Sequence, residues 1–310
     1  MPEGTPPAEI FVDSPLVHRL IESQAPAWSS HAIEPFETGW DNAMFRLGDQ
    51  HLVRIPRRHS ADALLRNEQQ ILPFLQPRLN IPIPTPVFIG RPDADFPWHW
   101  SVLPFFTATT ASQSPLDRRG AMQWAEFMAS LHRPYLKGVD PVPPENPFRG
   151  VDINARRSSL EERVTQLKRL NEPVPDALLG VWQTALAQAP SSLRVWIHGD
   201  PHARNVLTKS GALAAVIDWG DITTGDPASD LGSFWMLVHD RTVRTESIAR
   251  YLAMISFSLR SAESRALLLR ARGWAVLYGA ALLATGLVDH PEHAAMGRAT
   301  FRNLLQQDQD

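Results

Sequence analysis

The sequence contains no cysteine, which excludes disulfides, thiolate zinc sites and a cysteine nucleophile and suits a cytoplasmic location. Lysine is nearly as scarce. Lys137, Lys168 and Lys209 stand against 27 arginines, and no lysine precedes residue 137. Long hydrophobic runs are missing too. The longest mostly apolar stretch, residues 274–288, is shorter than the roughly 20 residues a bilayer span needs and reads as a buried helix. Residues 1–7 show no basic region leading into an apolar stretch, so no export signal is expected and the N-terminus reads as loose. A net charge of −3 offers no basic field for nucleic acid. What remains is ordinary globular composition: 310 residues, 44% apolar and 20% charged, enough for two domains or one bilobal one.

The pattern changes once along the chain. Ser14-Pro15 reads as a helix start, with Leu16, Leu20 and Ile21 on one face. Strands are expected at 43–47 and 52–55 around the Gly48-Asp49-Gln50 turn, then at 87–90 and 98–103. Between them Leu64, Leu65, Glu68, Ile71, Leu72 and Leu75 recur at helical spacing. The expectation is an antiparallel sheet of about five strands with one long helix packed on it. After residue 102 helices dominate, beginning at Ser114-Pro115 and interrupted by a proline-rich surface excursion over 134–150. Further helices are expected at 152–170, 176–189 and from Asp226 onward, around a strand region at 194–218 broken at 209–211. Two domains follow, 1–102 and 103–310.

Within that strand region, His198-Gly199-Asp200 ends one apolar strand and Asp218-Trp219-Gly220 ends another, with Asn205 five residues after the first acid. Phosphoryl transfer needs this set of parts: a carboxylate to accept the hydroxyl proton and oxygen ligands for magnesium. Asp200 is the candidate base, and Asn205 and Asp218 the candidate Mg2+ ligands.

These motifs, with Asp226-Pro227 and Asp230-Leu231 following, resemble the aminoglycoside phosphotransferase family of small-molecule kinases. The resemblance implies a bilobal, protein-kinase-like α+β fold, with an antiparallel-sheet N-terminal lobe and a mainly helical C-terminal lobe. It implies ATP or GTP as co-substrate and a hydroxylated small molecule, antibiotic or metabolite, as acceptor. Arg54, on the third strand, takes the place where the family usually has lysine, and Glu68 is its expected helix partner. Pro104, through its carbonyl, and Phe106, through its amide, fall where the adenine would be held. His202 is a candidate phosphate contact, while His198 and Asp230 are expected to support the loop. For the acceptor, Asp221, Asp226 and Asp240 are candidate acidic contacts and Trp235 an apolar one.

Two other classes fit the same residues. A nucleotide-binding protein without catalysis is permitted by the arginine at position 54. A metal-dependent hydrolase could use His198, Asp200 and His202, although His239, His290 and His293 read as isolated and complete no second cluster.

Overall fold

The computed structural model describes residues 7–255 and 261–306, so most of the expectation for the first seven residues lies outside the described residues. Helix α1 (Ser14–Gln24) is capped by Asp13, whose carboxylate accepts from the Leu16 amide at 2.9 Å; Ser14 is already helical. Leu16, Val17, Leu20 and Ile21 of α1 are buried in one apolar cluster with the sheet residues Phe45, Leu47, Val53 and Ile55, each side chain contributing about 1.5–3 kcal/mol of transfer free energy.

That sheet consists of β1 (Ile33–Thr38), β2 (Asn42–Leu47), β3 (His51–Pro56), β4 (Phe88–Gly90) and β5 (Trp100–Pro104), antiparallel throughout in the order β1-β2-β3-β5-β4. Helix α2 (His59–Leu75) lies between β3 and β4 in the chain. It lies against β3 and β5 as expected, but much of its apolar face goes elsewhere. Ile71, Leu72 and Leu75 belong to the core of the helical part. The sheet is reached through polar bonds, Gln69 donating to the Trp100 carbonyl (3.0 Å) and the Ser101 hydroxyl (2.9 Å). Helix α2 thus pins one part of the molecule to the other.

After β5 come β6 (Thr109–Thr110) and α3 (Arg118–Leu131). Asp117 caps α3 through the Gly120 amide at 2.8 Å, three residues later than Ser114-Pro115 suggests. Helices α4 (Arg157–Arg169) and α5 (Asp176–Leu186) lead to β7 (Val195–Ile197), β8 (Val206–Lys209), β9 (Ala212–Val216) and β10 (Thr223–Gly225). Strands β6, β8 and β9 form one small sheet, and β7 pairs with β10, a strand the sequence pattern did not reveal. The chain continues through α6 (Ala228–Leu231), α7 (Ser233–Leu237), α8 (Arg241–Met254), α9 (Ser261–Gly286) and α10 (Pro291–Leu305). Helix α9 is long and apolar enough to cross a membrane by length and composition alone, but 72% of its most apolar window is buried inside the molecule. It is the axis on which the helical part packs.

The proline-rich segment 134–150 has no helix or strand of its own, yet it is not a free excursion. Asp140 accepts from the Trp196 indole at 3.0 Å, and the Pro144 carbonyl accepts from the Thr223 hydroxyl at 2.6 Å. The segment is laid along β7 and β10.

Candidate active site

Strand β7 delivers the chain into a tight turn at His198 and Gly199. Gly199 has φ +92°, and a Cβ there would lie 2.5 Å from the Asp221 carbonyl oxygen, so glycine is required on both counts. Buried Asp230 accepts from the amides of His198 (2.7 Å) and Gly199 (2.9 Å). Its Oδ2 also faces His132 Nε2 at 3.4 Å, and His132 Nδ1 meets the Tyr251 hydroxyl at 2.8 Å. The His198 ring is spent locally: Nε2 donates to the Ile217 carbonyl (3.0 Å) and Nδ1 accepts from the Asp200 amide (3.2 Å). A neutral imidazole used at both nitrogens has no lone pair for a metal. Among the described residues no group of three or more His, Asp or Glu side chains is arranged to hold a metal ion. The commitment of both ring nitrogens leaves the hydrolase reading of His198, Asp200 and His202 without its first ligand.

Asn205 and Asp218 leave the ends of the paired strands β8 and β9, and the Ile217 amide donates to the Asn205 carbonyl at 2.9 Å. The strand pairing therefore sets the two side chains beside one another. Asn205 Nδ2 donates to the Asp200 carbonyl (2.9 Å), which ties the first acid to the same spot. Asp218 is held at φ +61°, a left-handed conformation uncommon outside glycine, and its side chain is half exposed. The Asn205 amide oxygen and Asp218 Oδ2 have no hydrogen-bond partner among the described residues. Two uncommitted oxygens at neighbouring strand ends suit a hard divalent cation such as magnesium.

Across from this pair stands Arg54 on β3. Its Nη1 donates to both Glu68 oxygens at 2.9 Å, and its Nη2 donates to Asp218 Oδ1 at 3.0 Å. With the amide oxygen of Asn42 turned toward the guanidinium, it accepts from Nη2 (3.0 Å) and Nε (3.2 Å). Glu68, fully buried on α2, accepts in turn from the Trp219 amide at 2.8 Å. Burial works against the Arg54 charge, but Glu68 and Asp218 outweigh it and make the guanidinium more basic than usual. For Glu68 burial dominates, pushing its carboxyl up to about 7 against the pull of Arg54. Shielding from water also opposes the Asp218 charge, yet Arg54 keeps that carboxyl below its ordinary range.

The other side of Asp200 holds a residue that sequence reasoning missed. Arg149, at the end of the proline-rich segment, places Nη2 3.2 Å from Asp200 Oδ1 and 2.9 Å from Asp221 Oδ2, with Nε 3.0 Å from the same Asp221 oxygen. Asn146 donates to Asp221 Oδ1 at 2.9 Å. The guanidinium lies 5.2 Å from the Tyr278 ring, whose hydroxyl donates to the Gly199 carbonyl at 3.3 Å. No spacing in the sequence marked Arg149, because its partners lie 51 and 72 positions away. Arg204 was missed for the same reason; it joins Glu37 (2.7 Å), His293 Nε2 (3.2 Å) and Glu292 (3.7 Å).

His202 lies 3.5 Å from Asp200 Oδ2, and burial lowers its pKa despite that carboxylate. His290 and His293, which read as isolated, are not. Their ring centroids are 5.1 Å apart, His293 is 6.0 Å from His202, and Trp40 is 5.9 Å from His290. Pro104 ends β5 opposite His51, and the next amide, that of Phe105, donates to the Gln50 carbonyl at 2.8 Å. The trans peptide turns the Pro104 carbonyl to the opposite side, and Phe106, beyond the strand, accepts from the Ala108 amide through its carbonyl at 2.9 Å.

Three candidate acceptor contacts are corrected. Asp226 is buried and bound by Arg270 (2.7 and 3.3 Å) while it accepts from the Ala228 amide. Trp235 is a core residue of α7. Asp240 caps α8 through the Val243 amide at 2.9 Å. Asp221 shares Arg149 with Asp200.

The model of the phosphotransferase enzyme family matches residues 32–268 of the chain. No curated protein matches it. Solved structures share its architecture, a bilobal protein-kinase-like α+β fold. The GDP complex of wild-type aminoglycoside 2'-phosphotransferase-IIIa superposes with a TM-score of 0.66 at 18% identity, covering 94% of this chain and 99% of that one. Macrolide 2'-phosphotransferase type I gives 0.58 at 18% identity over 94% and 97%. The apoenzyme of macrolide 2'-phosphotransferase MphH from Brachybacterium faecium gives 0.54 at 19% over 90% and 94%.

Proposed function

Since the chain belongs to the phosphotransferase enzyme family, we propose that it moves the γ-phosphoryl group of ATP or GTP to a hydroxyl group of a small molecule. The observation that carries this reading is the convergence of Asp200, Asn205 and Asp218 at adjoining strand ends, facing Arg54. Asp200, 31% exposed, takes the acceptor's proton as its oxygen attacks the γ-phosphorus and the bond to the β-phosphate oxygen breaks. The open oxygens of Asn205 and Asp218 would hold magnesium, which would supply charge neutralisation to the phosphates. Arg54 grips phosphate with donors it now gives to Asp218 and Asn42, while Glu68 keeps it oriented. The Pro104 carbonyl, turned away from β3, and the Phe106 amide offer the base one acceptor and one donor. The similar solved structures include a GDP complex of an aminoglycoside phosphotransferase and a macrolide phosphotransferase, which supports a purine nucleotide and a hydroxylated acceptor.

The test is Asp200→Asn. Diphosphate release with a competent acceptor falls by about 10²–10⁴-fold, while the thermal shift given by magnesium and nucleotide persists. A variant that keeps full transfer removes Asp200 as the base; loss of the thermal shift in wild type removes the nucleotide site.

A further inference from the structure

The acceptor side of the cleft is built around arginine. Arg149 occupies Asp200 and Asp221 with Nε and Nη2, and its Nη1 has no partner among the described residues. Next to it Arg156 sits over the Phe148 ring, its Cζ 5.0 Å from the centroid. No side-chain donor of Arg156 has a hydrogen-bond partner among the described residues, and its Nε is buried without one. Arg163, two turns further along, spends Nη1 on Gln166 and makes no ion pair among the described residues. Glu162 is the carboxylate that opposes this gathering of charge, while Asp200 and Asp221 are both already held by Arg149.

Like charges gathered this way repel, and a buried N–H without a partner is left without the hydrogen bond that water would give it. Burial, then Arg149, depresses the Arg156 pKa, with Tyr278 and Glu162 opposing and Arg163 adding to it. A ligand carrying negative oxygens relieves both costs, since guanidinium donors match carboxylate and phosphate in pairs. A polycation would have to pull Asp200 and Asp221 from Arg149 and meet Arg156 head-on.

We infer that the acceptor is a hydroxylated anion, its carboxylate or phosphate clasped by Arg156 and Arg149 Nη1 while its hydroxyl faces Asp200. This rests on the phosphotransferase reading, and the experiment separates the two. With magnesium and ADP present, glycerate, gluconate, glycerol 3-phosphate and glucose 6-phosphate are titrated by calorimetry beside kanamycin and choline. At least one anionic alcohol binds saturably and the two cations do not; carboxylates against phosphates identify the anionic group. Arg156→Ala weakens that binding at least tenfold and Arg156→Lys restores part of it. With ATP the same variant raises the acceptor KM at least tenfold and changes kcat less than twofold. Binding of kanamycin or choline in preference to all four anions overturns the inference, as does failure of every anion to bind or an Arg156→Ala protein of unchanged affinity. Failure of the phosphotransferase reading shows separately, as anion binding lost in Arg156→Ala without diphosphate release from any acceptor.

Discussion

All five N–H groups of Arg54 are engaged: two by Glu68, one by Asp218 and two by Asn42. Phosphate can be gripped only by exchange, so nucleotide and Asp218 compete for the same nitrogen. Arg54→Ala leaves Glu68 buried without its cation, a change of about 3–5 kcal/mol. Melting curves of that variant should show a deficit that shrinks as pH falls, because a neutral Glu68 can stay buried alone. Arg54→Lys keeps the charge but not the fork; it should melt closer to wild type and still lose at least tenfold in nucleotide affinity by titration. The absence of lysine before residue 137 made Arg54 legible as the basic residue of β3. Its saturation was not legible, since Asn42 and Asp218 lie on either side of it in sequence and Asp218 is 164 positions away. Asp226 shows the reverse case: an acid beside the motif reads as available until Arg270, 44 positions on, closes over it.

Among the elements, the segment 134–150 does more than connect. It ends at Gly150, which has φ +62° and packs so closely on β7 and β10 that a Cβ would lie 2.5 Å from Ile197 Cδ1 and 2.9 Å from Gly225 Cα. A side chain there must lift the end of the segment and draw Arg149 away from Asp200 and Asp221. Gly150→Val should therefore lower kcat at least tenfold while the nucleotide-induced thermal shift stays within twofold in ligand dependence. Unchanged kcat would mean that Arg149 is not positioned by this contact. Prolines told correctly that 134–150 forms no helix or strand, but not where it lies, because pairing with β7 and β10 is decided by tertiary contacts. Strand β10 is only three residues long, too short for an alternating pattern to register. Helical periodicity located α2, a cap signal α3 and an apolar run part of α9; none of them said which core the apolar face of α2 would enter.

Across the whole molecule, Trp40 from the β1–β2 loop, His290, His293 and His202 form a chain of rings reaching Asp200. Arg204 ties the same elements by bonding Glu37 and His293. Burial, then His202 and Arg204, lowers the His293 pKa to about 4, while Glu292 opposes. A histidine depressed in the folded state contributes fully above its unfolded value near 6.5, and the contribution is lost as pH falls toward 4. His202 is shifted the same way. The bridge should loosen between about pH 6.5 and 4, read as a change in Trp40 emission obtained by difference from Trp40→Phe. His293→Gln should flatten that transition. No sequence pattern joins these residues, since 91 positions separate His202 from His293; the catalytic motifs were readable because they are local. Trp219, by contrast, admits no such loosening: its ring is fully buried 4.5 Å from His198, its indole bonds the Val216 carbonyl, and its amide is fixed by Glu68. An aspartate bolted to that neighbour has no resting position to retreat to. In the proposed transfer Asp218 therefore needs no ordering step before the nucleotide arrives.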